Sequence, residues 1–453
     1  MHSVLMLCYS FPPLAGGGVQ RSAKFVKYLP RYGWQPLVVA ARGRLLSQRF
    51  GLDHTLAHDV AGAKVWRLGE WQIRPSLEAA ANLLLGDDSG PETDWLSRQA
   101  GRLRRALVDL TEKGLRWNQF NPWVLNAVLL GLRLVRKYGV CAIYSSQPPI
   151  YAHVAGYFLS RLTHLPWVAD YRDPYTSRPD WQPGPRWYAR HLLRLDSKMV
   201  RQATRVVSVG TMLTEDMIRR FPEQPPGKFV TIRNGYDPPD LAVTPQPSRG
   251  TITIVHAGAV RPIDRDPSAF LRAVARLAGT DGIIPQLGKI SVTFIGAHNI
   301  AVQSTATRLG LDGLVHFEPR VDHKTCVARL LGSDLILVLN GSSRNKYSDR
   351  ILTGKLYEVL GTGRPALVLT PDTSEAAALC RHVGGCWLAA PDDETAILRC
   401  LTDWANRIRR GSLPVRDSSA LASITREGAT RQLAQLLDLA MNGYDAQPRC
   451  NGH

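Results

Sequence analysis

The chain has 453 residues, 44% of them hydrophobic and 21% charged, values near the globular average that exclude a disordered polymer and a continuous coiled coil. That length calls for about two or three domains instead of one core. The net charge of +18 and a pI of about 9.9 ask for an anionic partner, and charge alone does not choose among nucleic acid, phosphates and an acidic membrane face.

Val4 to Cys8 is an apolar run with no basic lead, so the N-terminus reads as a first strand and not as a signal peptide. A glycine-rich turn joins it to a helical pattern through Val19, Ala23, Val26 and Leu29, which Pro30 and Gly33 end, and Pro36–Ala40 is the next strand. The segment between residues 70 and 138 departs from this rhythm. It is rich in tryptophan, leucine and arginine and is expected to be a helical insertion, with 125–139 either covering a sheet or lying at a membrane interface. Alternation resumes with strands at Val140–Ser145, Trp167–Asp170 and Val206–Val209 and helices at Tyr151–Leu162, Leu192–Ala203 and Thr211–Phe221. The proline-rich stretch 237–250 lacks periodicity and marks a linker. Beyond it, strands are expected at Thr251–His256, Ile290–Ile295, Leu335–Leu339 and Ala366–Leu369. Helices fall around Pro267–Leu277, Thr325–Leu331, Gly354–Leu360 and Glu375–His382, and an amphipathic one spans residues 420–440. Alternating strands and helices imply parallel sheets covered by helices, an α/β chain with two such domains. The expected division is an N-terminal domain over 1–240 with the insertion at 70–138, a linker at 241–250, a second domain over 251–415 and a terminal helix and tail over 416–453.

Seven cysteines are scattered, with no Cys-x-x-Cys pair and no Cys/His spacing suited to zinc, so reduced thiols in the cytoplasm and no metal centre are expected. No apolar stretch approaches the roughly 20 residues that cross a bilayer. The chain is therefore expected to be soluble or to rest on a surface.

Two segments carry chemistry. In YSFPPLAGGGVQR (residues 9–21), Gly16, Gly17 and Gly18 let backbone N–H groups approach an anion at the end of the first strand, although this is neither a dinucleotide fingerprint nor a Walker loop. In TGKLYEVLGTGRP (residues 353–365), Lys355 falls in the first turn of a helix, where the backbone already carries partial positive charge, so an anion such as a diphosphate is expected opposite it. Glu358, one turn on, is placed to accept hydrogen bonds from ribose hydroxyls, and an intrahelical Lys355–Glu358 pair without ligand stands beside that possibility. His256 ends a strand near the proposed phosphates, and Glu375 follows Thr373 and Ser374 at a helix start.

FPPLAGGGVQRSAKFVKYLPRYGWQPLVV at the beginning resembles the N-terminus of family 4-type glycosyltransferases of bacterial surface-polysaccharide pathways. SSQPPIYAHVAGYFLSRLTHLPWVADYRDPYT (residues 145–176), IRNGYDPPD, HAGAVRPIDRDP and the 353–365 segment are similar to the same family, in order along nearly the whole chain. The resemblance implies the GT-B fold: two Rossmann-like parallel-sheet domains facing across a cleft, the terminal helix packing back on the first domain. It implies a donor site built from Gly16, Gly17, Gly18, Arg261, Arg265, Lys355 and Glu358, in which the cations meet the diphosphate without a metal or other cofactor. On the acceptor side it implies Asp170, Arg172 and Asp173, with Asp173, Arg172 and Lys355 as the catalytic group. Asp173 is the first choice to assist the attacking hydroxyl, and a structural Asp–Arg pair is its alternative. The implied stereochemistry is retention, in which the leaving phosphate itself receives the acceptor proton. Two departures stand out. Arg350 occupies the place of the first glutamate of the family's Glu-x7-Glu pattern, with Asp349 adjacent, and Arg172 stands where many relatives carry a histidine.

The expected activity is transfer of a sugar, of hexosyl type, from a nucleotide-sugar donor to a saccharide or lipid-linked saccharide in polysaccharide biosynthesis. An anionic membrane surface at the inner face of the cell membrane is a further expected partner, and nucleic acid is not expected. The alternatives are a sugar-nucleotide epimerase or hydrolase on the same fold, and a nonenzymatic anion-binding protein.

Overall fold

The computed structural model describes residues 1–14, 16–43, 47, 51–53, 55–69, 122–173, 176, 185–247, 250–261, 265–279, 289–297, 299–343, 346–350 and 352–445. Residues 70–121 of the expected insertion, including Trp71, Trp95 and Trp117, lie outside them. The chain forms two compact units, one of Met1–Ser208, Asp216–Val230 and the chain from Arg431 onward, the other of Val209–Glu215 and Thr231–Thr430.

In the first unit the strands are β1 (His2–Leu7), β2 (Trp34–Ala41), β3 (Lys64–Leu68), β4 (Val140–Gln147), β5 (Trp167–Tyr171), β6 (Arg205–Ser208) and β7 (Phe229–Thr231), arranged in the order β3-β2-β1-β4-β5-β6-β7. The continuous apolar runs VLML and LVVAA form central strands because a parallel sheet buries both faces and needs no polar alternation. Leu5 of β1 faces Leu37 on one side and Ile143 on the other. Helices α1 (Gly17–Tyr28), α2 (Thr55–Asp59), α3 (Pro122–Tyr138), α4 (Tyr151–Thr163) and α5 (Arg186–Gln202) accompany these strands. Helix α3 turns Trp123, Ala127, Gly131 and Leu134 inward, so this part of the expected insertion covers the sheet. On α4, Gly156 leaves room for the buried Trp167 indole, whose Nε1–H donates to Ser145 Oγ at 2.8 Å.

A helix α6 (Thr211–Arg220) is followed by the second unit, with β8 (Ile252–Ala257), α7 (Ser268–Ala278), β9 (Ile290–Ile295), α8 (Ile300–Arg308), β10 (Val315–Glu318), α9 (His323–Gly332), β11 (Leu335–Leu339), α10 (Gly354–Gly361), β12 (Ala366–Leu369), α11 (Glu375–Val383), β13 (Cys386–Ala389), α12 (Glu394–Arg410) and α13 (Ser418–Ser423). Its sheet runs β10-β9-β8-β11-β12-β13 with every pairing parallel. Six strands of each sheet thus follow the order 3-2-1-4-5-6 of the doubly wound fold. The last helix, α14 (Arg426–Asp445), joins the first unit from Arg431 on. There it buries Leu433 and Leu437, and Asp438 accepts the Trp34 Nε1–H at 2.9 Å. The terminal helix packs back on the first sheet, as the sequence pattern implies.

Strands β3, β7, β10 and β13 have no counterpart in the sequence reading. KVWRL and VHFE are short and carry charges at the edge of a sheet, so no apolar run announces them. Residues 244–247 of the proline-rich stretch lie against α9, where Gln246 N–H donates to Ala328 O at 2.9 Å. Among the described residues no helix is long and apolar enough to cross a membrane.

Candidate nucleotide-sugar site

In the second unit the strand order reverses between β8 and β11, and the loops after these strands are where a doubly wound sheet receives its ligand. A buried chain of side chains ties the strand ends to two helix N-termini. Thr353, the N-cap of α10, donates its hydroxyl to Asn340 Oδ1 at 3.2 Å, and Asn340 Nδ2 donates to Thr370 Oγ1 at 3.4 Å. Thr370 Oγ1 meets Ser374 Oγ, the N-cap of α11, at 2.8 Å. Thr353 and Ser374 also accept backbone N–H groups of their own helices, from Leu356 and Ala377. The first turns of both helices are thereby held beside β11 and β12.

Lys355 and Glu358 lie on one face of α10, Nζ to Oε2 at 3.0 Å, so the intrahelical pair is formed. Glu358 has a second partner, the His323 imidazole at the start of α9, which the sequence reading missed. No spacing signal reaches across 35 residues. Burial alone raises the Glu358 carboxyl, but Lys355 and then His323 outweigh it and hold it down to about 2. The Glu358 hydrogen bond raises His323 above its ordinary value against burial. Burial lowers Lys355, and the Glu358 carboxylate more than reverses this.

His256, at the end of β8, is buried with Nδ1 on Leu337 O at 3.0 Å. Burial foremost, joined by the Lys355 and Arg265 charges, lowers it to about 4 against the Leu337 hydrogen bond. Both cations therefore act on the same strand end, as a diphosphate site requires. Arg261 and Arg265 are cross-paired through their backbones, N–H to O at 3.1 and 2.8 Å, closing the loop after β8. A further cation, Arg426, was not foreseen. It is 5% exposed and bonds Asn234 Oδ1 at 2.9 Å, and its Nη2 lies 3.8 Å from where a side chain on Gly354 would begin. Arg350 closes a 3-10 turn, Lys346–Arg350, which also holds Asp349, with its guanidinium 6.0 Å from the Tyr347 ring. Glu375, in the first turn of α11, also accepts the N–H groups of Thr211 (2.9 Å) and Met212, the first turn of α6, on its carboxylate. Gly210 makes this possible, since a Cβ there would stand 2.7 Å from Glu375 Oε1.

In the first unit the equivalent reversal lies between β1 and β4. Gly16, with φ of 138°, is the N-cap of α1, and Gly17 and Gly18 begin the helix. The Arg172 guanidinium rests on Gly18, where a Cβ would fall 1.5 Å from Nη1, and its Nη2 donates to Pro148 O at 3.3 Å. Arg172 is thus held at the glycine loop, and Asp173, half exposed, is 3.9 Å from its Nε. Asp170 is placed differently. It is fully buried, takes two hydrogen bonds from Arg21 (2.9 and 3.1 Å) and one from Tyr144 OH at 2.6 Å, and so pins α1 to the sheet.

No protein-family model matches this chain, and no curated protein matches it by sequence. Solved structures do. Sucrose-phosphate synthase from Thermosynechococcus elongatus aligns over 98% of this chain and 100% of its own, with a TM-score of 0.59 and 13% identity. The lipopolysaccharide outer core galactosyltransferase WaaB aligns over 97% and 99%, TM-score 0.53, at 11% identity. UDP-GlcNAc 2-epimerase from Neisseria meningitidis, a structure with UDP-GlcNAc bound, aligns over 96% and 99%, TM-score 0.52, at 12% identity. The shared architecture is GT-B.

Proposed function

We propose that this chain is a glycosyltransferase that binds a nucleotide-sugar through its second unit and transfers the sugar, a hexose, to a hydroxyl of a saccharide or lipid-linked saccharide in polysaccharide biosynthesis. The observation that carries the proposal is the gathering of Lys355, Arg265 and Arg426 near strand ends and a helix N-terminus that contains no acidic residue in its first turn. Glu358 offsets the Lys355 charge, and a helix N-terminus flanked by further cations suits an anionic ligand. In this reading Arg261, Arg265 and Lys355 neutralise the diphosphate as it departs, with no metal, and Glu358 orients the ribose while keeping Lys355 charged. Gly16, Gly17 and Gly18 offer amides to the phosphates, Arg172 supports them from the glycine loop, and Asp173 receives the acceptor. Retention of configuration, with the leaving phosphate taking the acceptor proton, is part of the proposal. Asp170 has a positioning role through Arg21.

Sugar-nucleotide epimerisation is the second reading, favoured by the likeness to 2-epimerases. Incubating the protein with a sugar nucleotide alone separates the two, because an epimerase converts it without acceptor. Thermal-shift screening of UDP-, GDP- and other sugar nucleotides tests donor binding, and the stabilisation by the best of them is expected to be largely lost in Glu358→Ala. An undiminished shift in that variant would show that the donor lies elsewhere.

A further inference from the structure

Helices α3, α4 and α5 lie side by side over the first sheet, α4 between the other two. Their inner faces fill the core, yet their outer faces are not polar. Leu125 and Leu129 on α3, Phe158 and Leu162 on α4, and Trp187 and Leu193 on α5 are exposed by 42–63%. Isolated exposed leucines mean nothing, but six large apolar side chains on three neighbouring helices form a surface that water disfavours.

The exposed charges of these three helices are all of one sign. Arg133, Arg136 and Lys137 are exposed on α3, Arg161 on α4, and five arginine or lysine side chains on α5. Neither α3 nor α4 contains an acidic residue, and the lone one on α5, Asp196, is buried on Tyr171, Thr176 and Arg220. These helices thus present nine exposed cations and no exposed carboxylate of their own, Arg201 pairing with Glu223 beyond α5 at 3.2 Å.

From this combination we infer that the outer face of α3, α4 and α5 docks the protein on an anionic lipid bilayer. Cations alone suit nucleic acid equally well. Leucines do not, since they neither stack on bases nor pair with phosphates, whereas leucine, phenylalanine and tryptophan beside arginine match the acyl boundary and headgroups of a membrane. The surface is independent of the transferase proposal, because docking requires no donor.

Flotation with phosphatidylcholine vesicles, with and without phosphatidylglycerol, tests it on the full chain. Binding is expected only when the anionic lipid is present. Arg133→Gln, Arg136→Gln and Arg190→Gln should each weaken partitioning about fivefold, the fold-change equivalent to roughly 1 kcal/mol per charge at such a surface. The combined Leu129→Ser, Phe158→Ser, Trp187→Ser variant should abolish flotation while keeping its circular dichroism spectrum, these side chains being exposed. As a second measurement, brominated acyl chains should quench wild-type fluorescence more than that of Trp187→Phe. Absence of flotation, equal binding to both vesicle types, or an apolar triple variant that floats like the wild type would overturn the inference. So would binding to single-stranded RNA in preference to vesicles. Each of these leaves donor binding in the thermal-shift assay untouched, so the two proposals fail separately.

Discussion

Glu358→Gln isolates the charge that organises α10. The side chain is 16% exposed, touches Lys355 at 3.0 Å and holds His323, and its carboxyl is held at about 2 against an ordinary value of 4.5. Two and a half pH units correspond to ~3 kcal/mol, which the one-third exposure of Lys355 reduces to roughly 1–3 kcal/mol. Because the folded value lies below the unfolded one, this stability is present above pH 4.5 and is lost as the pH falls toward 2. The variant keeps the shape of the side chain, removes its charge and turns one of its two acceptor oxygens into a donor. Urea unfolding followed by circular dichroism should therefore show a loss of roughly 1–3 kcal/mol at pH 7, shrinking by more than about half at pH 3. A loss of the same size at both pH values would refute the electrostatic origin.

Asp170→Asn should cost about 3–5 kcal/mol, measured by urea titration, because it leaves the Arg21 guanidinium buried without its counter-charge; a cost near zero would return Asp170 to the acceptor candidates. Gly156→Ala places a Cβ 2.8 Å from Trp167 Nε1 and should destabilise by about 1–3 kcal/mol, while a neutral result would mean that α4 can shift away from the sheet. The Cys386 thiol is lowered to about 7 by the Cys380 thiol, which outweighs burial, with further help from Arg416 Nη1 at 3.1 Å from Sγ. Alkylation at Cys386, followed by peptide mass spectrometry, should half-saturate in rate near pH 7 and shift upward in Arg416→Gln. A profile centred where ordinary thiols titrate would contradict this.

The long apolar runs made the central strands legible. VLML, LILVL and ALVL have no alternation to misread, and the glycine turn after β1 announces a helix start through backbone chemistry that is local. The edge strands β3 and β10 were not legible, since their short charged segments become strands only by pairing with a neighbour already in place.

The site divides in the same way. Local chain chemistry already puts Lys355 and Glu358 on one helical face and Gly16–Gly18 at the opening of α1, because positions three apart and glycine's missing Cβ need no distant partner. It takes packing to bring His323, 35 residues away in the chain, to Glu358, Arg426 to Gly354, Arg172 onto Gly18, and Arg21 to Asp170. A charge chooses its partner by desolvation and distance, and both are settled only when helices remote in sequence pack on the same sheet.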